Sequence, residues 1–346
     1  MIRHMRLLAS ASVLAACALG ATPAFAAGTD AGTTVTNTVT LNYSVGGVSQ
    51  TPVEDDDAFV VDRKIDLSVV DADTVTTQVV PGQTGAVVAF TVTNATNATL
   101  DFALSATQLD GGAGAHSNTD TFDASNLSVF VDSNANGVYD PGTDTATFID
   151  ELQEDQSVTV FVVGDIALNE TNGEVAAVRL RATASEGGSV GVQGAVLTAD
   201  ADGNDAAVME NVFADENRDG YEEALDDYTV SAASLTLTKT SRVVWDPVNE
   251  SSNPYMIPGA VVEYCIAISN ADGAATATGV QITDPIPTDT TYDSGFGILT
   301  GVTISGGTCV EDGSPGGSFA GDEVTVNVGD VAGNTATGIR FRVTVD

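Results

Sequence analysis

Residues 33–45, TTVTNTVTLNYSV, alternate in polarity: Val35, Val39, Leu41, Tyr43 and Val45 share one parity, and Thr36, Thr38, Thr40, Asn42 and Ser44 share the other. An extended chain sends successive side chains to opposite faces, so this pattern predicts a half-buried β-strand. Gly46-Gly47 supplies a hairpin turn, and Val48 lies on the return strand. The acidic run Glu54–Asp57 follows, then a further strand through Phe59 and Val61.

Beyond Arg63-Lys64 the pattern recurs. KIDLSVV (64–70) alternates Ile65, Leu67 and Val69, and LTLTK (235–239) alternates Leu235 and Leu237. Each leads to a Pro-Gly turn, Pro81-Gly82 and Pro258-Gly259. Each turn leads to an apolar strand ending in asparagine, VVAFTVTN to Asn94 and VVEYCIAISN to Asn270. EDQSVTVFV (154–162) is echoed by GDEVTVNV (321–328), and VRLRAT (178–183) by IRFRVT (339–344). Four landmarks in one order predict two homologous β-domains. In the last pair Val178, Leu180, Ala182, Ile339, Phe341 and Val343 are expected inside, with Arg179, Arg181, Arg340 and Arg342 outside, beside carboxylates.

Short alternating strands with frequent turn signals fit an all-β fold of tandem immunoglobulin-like β-sandwiches. The expected divisions are an N-terminal β-hairpin region (27–63), a first sandwich (64–184), a Gly/Ala/Asp-rich linker or extra hairpin (185–234) and a second sandwich (235–346). Within the linker, EEALDD (222–227) reads as one helical turn at most.

A resemblance emerges in the last third. Pro258-Gly259, the strand with Tyr264, Ile266 and Asn270, and the hairpin VQITDPIPTDTTY (280–292) with Asp284, Pro285, Pro287, Thr290, Thr291 and Tyr292 follow one order. That order resembles the conserved repeat domain of bacterial and archaeal surface proteins known as domain of unknown function eleven, most clearly over residues 235–346. The first domain keeps Pro81-Gly82 and Asn94 but lacks the D-P-x-P element. The resemblance implies a β-sandwich, an exported or surface location and a structural or adhesive role, and it brings no catalytic residues.

Composition sharpens this picture. The 346 residues are 43% hydrophobic but only 6% aromatic, with 35 glycines, so the core is built from Val, Ala, Leu and Ile between many turns. Against 48 acidic residues stand 11 basic ones, a net charge of −37. Such a field repels nucleic acid and anionic membranes, and it attracts divalent cations that would relieve its self-repulsion. MIRHMR, the apolar LLASASVLAACALG and Ala24-Phe25-Ala26 make a signal peptide over 1–26, cleaved between Ala26 and Ala27. Leu14-Ala15-Ala16-Cys17 offers a lipoprotein alternative anchored through Cys17. No later apolar run is long enough for a membrane span. The expected location is therefore extracellular or on a bacterial cell surface, with the periplasm as an alternative. Past the leader only Cys265 and Cys309 remain. In an oxidising compartment they are expected to form one disulfide, the alternative being two buried thiols.

Two loops carry candidate chemistry. In VDSNANGVYDPGTD (131–144), Asp132, Asn134 and Asn136 take positions 1, 3 and 5 of a calcium loop, Gly137 the turn at 6, Val138 the carbonyl at 7 and Asp140 position 9. Thr143 stands at 12, where a bidentate Glu belongs; Asp144 is the expected last ligand, with Asp150 or Glu151 folding back as alternatives. In DENRDGYEE (215–223), Asp215, Asn217 and Asp219 take positions 1, 3 and 5, Gly220 position 6, Tyr221 the carbonyl and Glu223 position 9, with Asp226 at 12. Arg218 opposes a cation there. Calcium is the expected cofactor; ion-free Asx-turn loops are the other reading.

Catalysis finds little support. His116, in GGAGAHSNTD, is the one histidine past the leader and reads as solvated. GGSVG (187–191) matches G-x-S-x-G, but no helix pattern follows it and no partner base is evident. There is no Cys/His zinc spacing, P-loop or basic patch. Trp245 reads as core or edge packing rather than a sugar platform. The chain is thus expected to be a non-enzymatic, exported structural or adhesive protein, stiffened by calcium. Other surface proteins, itself or glycans are its candidate partners, and nucleic acid is not. A glycan-binding accessory module is the alternative.

Overall fold

Alternating Val, Thr and Ala favour extended backbone, and every regular element among the described residues is a strand. The computed structural model describes residues 28–200, 203 and 205–346. The expected leader, the Ala26–Ala27 junction and Cys17 lie outside them. No helix among the described residues is long and apolar enough to cross a membrane.

In the first sandwich a four-stranded sheet runs in the order Ser125–Val131, Ser157–Asp165, Ala86–Asn94, Leu67–Asp71. It faces a five-stranded sheet ordered Phe148–Leu152, Leu100–Gln108, Val175–Glu186, Tyr221–Val230, Thr77–Val79. Ala86–Asn94 is buried at every second residue, as period-two packing requires. Its Val88, Phe90 and Val92 meet Phe102, Leu180 and Tyr228 in one core. The Tyr228 hydroxyl donates to the carbonyls of Ala86 (3.2 Å) and Val162 (2.9 Å), tying one sheet to the other.

Residues 185–234 are therefore not a linker. Tyr221–Val230 pairs in register with Val175–Glu186 on one side and with Thr77–Val79 on the other, and Leu197 reaches the core. The expected helical turn at 222–227 is strand. Its acidic letters conceal a strand because Asp226 and Asp227 are both fully buried.

The second sandwich sets Leu235–Trp245, Val261–Asn270, Thr335–Val345, Ile298–Val302 and Ser314–Pro315, with Thr290–Tyr292 alongside, against Ala277–Pro285, Glu323–Val331 and Ser318–Ala320. Ile266, Ile268, Phe341 and Val343 pack on Val324, Val326 and Val331.

The two sandwiches correspond by position in the sheets. Leu67–Asp71, Ala86–Asn94, Ser157–Asp165 and Ser125–Val131 hold the places of Leu235–Trp245, Val261–Asn270, Thr335–Val345 and Ile298–Val302. Phe148–Leu152 on Leu100–Gln108 matches Glu323–Val331 on Ala277–Pro285. The last strand, with IRFRVT, thus takes the place of VTVFV and not of VRLRAT. The two later sequence echoes reflect shared alternation, not shared position. Val175–Glu186 and Tyr221–Val230 are additions specific to the first sandwich.

Thr34–Leu41 pairs with Val53–Val60 residue for residue, around the Ser44–Val45/Val48–Ser49 hairpin. The acidic run lies inside the second of these strands, so Asp55, Asp56 and Asp57 face Val39, Thr38 and Asn37. The expected half-burial is absent: nothing among the described residues covers this ribbon, and Val39 is 64% exposed.

On the outer face of the second sandwich, Cys265 and Cys309 are joined in a disulfide. It tethers the Ile304–Ser305/Thr308–Cys309 hairpin beside Arg340, whose guanidinium donates to the Val310 and Asp312 carbonyls. Arg340, expected on the outer face beside carboxylates, does pair with Glu263 there, but the hairpin covers it and leaves it only 3% exposed.

Candidate metal centres

Asp132 follows the Ser125–Val131 strand and is anchored by its own N–H to the Thr159 carbonyl. One carboxylate oxygen accepts the Gly137 N–H (2.8 Å) and the other the Asn136 N–H (3.3 Å). The Asn134 side-chain oxygen accepts the Asn136 N–H, and that of Asn136 accepts the Val138 N–H, so the backbone winds as successive Asx turns. The side-chain amides of Asn134 (3.0 Å) and Asn136 (2.6 Å) converge on one oxygen of Asp140. Asp144 accepts from the N–H groups of Ser133 and Asp140, which draws it into the loop. Asp132 and Asp144 are buried. Tyr139 stacks on Phe130 and tilts against Phe161, anchoring the loop to its strands.

The second loop repeats this conformation. Asp215, also buried, accepts from the N–H groups of Asp219 (3.0 Å) and Gly220 (3.2 Å). In both loops, then, the carboxylate at position 1 gathers the amides of positions 5 and 6. Both loops also enter the left-handed region at positions 4 and 6: Ala135 (φ 55°) and Gly137 (φ 74°), Arg218 (φ 58°) and Gly220 (φ 77°). Ala and Arg rarely adopt such a φ, so its occurrence at the same position twice marks one shared turn. At Gly220 a Cβ would also stand 2.8 Å from the Phe213 ring.

The residues expected as ligands are placed unequally in the two loops. In the first loop Asn134 and Asn136 gather on Asp140, while the carboxylates of Asp132 and Asp144 are turned to backbone N–H groups and do not converge with Asp140 on one point, and the Val138 N–H is enlisted in the winding. Asp150 and Glu151 turn elsewhere, to the N–H groups of Gly191 and of Gly188 and Ser189. Ser189 of the GGSVG match thus sits on a loop held by carboxylates. In the second loop Asp215 and Asp219 accept backbone N–H groups of the turn, Asp219 that of Tyr221, while Asn217 is exposed. Glu223 departs: it pairs with Arg179 and Arg181, and the Arg181 guanidinium lies 3.9 Å above the Tyr221 ring. Asp226 is remote from the loop, inside its strand. Glu222, absent from the expected set, faces the loop instead and accepts the Glu216 N–H. Burial, followed by the charges of Asp215, Glu216 and Asp219, pushes its carboxyl above the ordinary value.

The first loop carries oxygen-bearing side chains of the kind calcium takes, but the groups that meet at the Asp140 carboxylate are the side-chain amide nitrogens of Asn134 and Asn136. Turning the amides of Asn134 and Asn136 to present oxygen to an ion would release the N–H groups of Asn136 and Val138 that those oxygens now accept.

A third grouping was not expected. His116 is not solvated. Its side chain lies between two strands of opposite sheets, with Nε2 3.1 Å from Asp71 and 3.3 Å from Asp226. Asn118, two residues on, donates to both oxygens of Asp227. Burial raises the Asp71 carboxyl and pushes that of Asp226 up to about 7. The only sequence signal was negative: two acids where an alternating strand should be apolar.

Trp245 is exposed at the end of an edge strand.

The class defined by this architecture is an all-β protein of tandem sandwiches. No protein-family model matches the chain, and no curated protein does. Among solved structures it is similar to the collagen adhesin (CNA) from S. aureus, at 12% identity and TM-score 0.21, covering 82% of this chain and 81% of that one. It is also similar to the full-length major pilin SpaD from Corynebacterium diphtheriae (11%, TM-score 0.20, 82% of this chain and 56% of that one). A third is a putative membrane anchored protein from the same organism (11%, TM-score 0.20, 90% and 89%). At such TM-scores these likenesses carry no argument.

Proposed function

We propose that this chain is an exported, non-enzymatic structural or adhesive protein of the bacterial surface, in which calcium stiffens the first sandwich. The observation that carries the reading is the shared winding of the two acidic loops, each closing on a buried aspartate at position 1. A bound ion there would neutralise the carboxylates of the loop and tie it to the strands that flank it. In the first loop Asp132, Asn134, Asn136, Asp140 and Asp144 would hold it, with the Val138 carbonyl. In the second, Asp215, Asp219 and the Tyr221 carbonyl are joined by Glu222 in place of Glu223. The disulfide and the resemblance of residues 258–292 to a surface-protein repeat support the same reading.

Calcium titration of the chelator-stripped protein tests it. We expect saturable binding, weakened at one site by Asp132→Asn and at the other by Asp215→Asn, with magnesium competing poorly. Absence of binding, or binding indifferent to both substitutions, overturns the proposal. The exposed Trp245 is the one feature favouring a glycan-binding module; a glycan-array signal abolished by Trp245→Ala would support that alternative.

A further inference from the structure

Asp71 ends the Leu67–Asp71 strand of one sheet, and Asp226 lies within Tyr221–Val230 of the other. His116 comes from the turn between Gly112–Ala113 and Thr119–Asp120 and closes over both. One donor atom from each lies within 4.8 Å of the other two. Asp226 is fully buried. One of its oxygens accepts the Asp227 N–H and faces His116; the other, Oδ2, is buried with no hydrogen-bond partner. An orphaned buried carboxylate oxygen is costly, on the order of 1–3 kcal/mol or more, and native structures leave few of them. The other charges acting on Asp71 are carboxylates, Asp73 and Asp227, so the site sits in a negative field.

We propose that Asp71, His116 and Asp226 bind a first-row divalent transition-metal ion, best probed with zinc. Four ligands at about 2.0 Å in a tetrahedron stand about 3.3 Å apart. The imidazole nitrogen already lies 3.1 and 3.3 Å from the two carboxylates. An imidazole donor selects against calcium, which takes oxygen, and favours zinc and its neighbours. The 3.3 Å contact is made by Asp226 Oδ1, and bidentate ligation by this carboxylate would give the orphaned Oδ2 its partner as well. The ion also clamps the two sheets and the His116 turn at one edge of the first sandwich. Water completes the coordination. This site shares no residue with the calcium loops and does not depend on them.

The test uses the full exported chain, stripped with chelator and held in millimolar calcium so that oxygen-only sites are filled. Zinc titration should show one tight equivalent, and X-ray absorption at the zinc edge should show a single imidazole among oxygen donors. His116→Gln, with an unchanged far-UV spectrum and an unchanged calcium response, should weaken zinc by at least about tenfold. Should His116→Gln fail to fold, Asp71→Asn and the wild-type absorption spectrum decide. Zinc uptake equal in wild type and variant, a spectrum without imidazole, or no zinc uptake overturns the proposal.

Discussion

Asn94 and Asn270 end equivalent strands and engage every polar side-chain atom. Asn94 donates to the carbonyls of Ala98 and Leu152 and accepts the Thr96 N–H. Asn270 donates to Ala275 and Val331 and accepts the Ser234 N–H. Leu152 and Val331 end matching strands of the facing sheets, so each asparagine stitches a strand end to its crossing loop and to the opposite sheet. Asn270→Ala should cost on the order of 1–3 kcal/mol in denaturant unfolding, because it strands the buried Val331 carbonyl and the half-buried Ala275 carbonyl; a loss within error would mean that water replaces the amide. Glu263 is the second residue of consequence. Buried, it receives Arg242, Arg340 and Arg342. Burial works against its ionisation, but the hydrogen bonds from the three arginines prevail and hold its carboxyl below 4.5. A carboxyl so depressed binds its proton more weakly folded than unfolded. Its stabilisation is therefore complete above the unfolded value and lost as pH falls through the lower, folded one. Glu263→Gln should lower stability at neutral pH and flatten the acid limb of the stability curve; an unchanged limb would assign that limb to other carboxylates. Both asparagines were legible in the sequence as landmarks. Glu263 and His116 were not, because their partners lie on other strands, across distances along the chain that no local pattern encodes.

At the scale of elements, alternation identified most strands and misjudged two. It correctly marked Ala86–Asn94 and Val261–Asn270, whose faces are plainly divided. It missed Tyr221–Val230, where buried acids replace apolar residues, and so left residues 185–234 outside the sandwich they complete. It also overstated the N-terminal ribbon: alternation reveals that two faces differ, not that one is covered. If the ribbon is bare in solution, Val39→Ser and Leu41→Ser should leave the melting temperature unchanged at every protein concentration. A concentration-dependent loss of several degrees would instead show that a second copy covers it. The disulfide hairpin behaves oppositely. With a sequence separation of 44 residues, the bridge is worth ~4 kcal/mol by chain entropy. Cys265→Ser with Cys309→Ser should lower the unfolding free energy by an amount of that order and expose Arg340. A change below about 1 kcal/mol would mean that packing alone holds the hairpin.

Across the whole molecule, two sandwiches of one plan are joined through a short connection. The Asn172 side chain accepts the Ala232 N–H and donates to the Gly273 carbonyl, and so contacts both sides of the joint. The net charge of −37 opposes this compact form. Local carboxylate pairings answer part of that repulsion, and metal ions in the loops would answer more. The calcium-type spacing at 132–144 was readable directly, since its residues are contiguous; that Glu222 and not Glu223 faces the second loop was not, since which of two adjacent strand residues does so depends on arginines from the neighbouring strand. The central claim is tested most directly by the thermal unfolding of the chain, followed with and without chelator at fixed ionic strength. The account predicts that calcium raises the melting temperature of the first sandwich by several degrees and slows proteolysis within 132–144 and 215–223, and that Asp132→Asn and Asp215→Asn each remove part of the gain. Identical melting and cleavage in calcium and in chelator would contradict it.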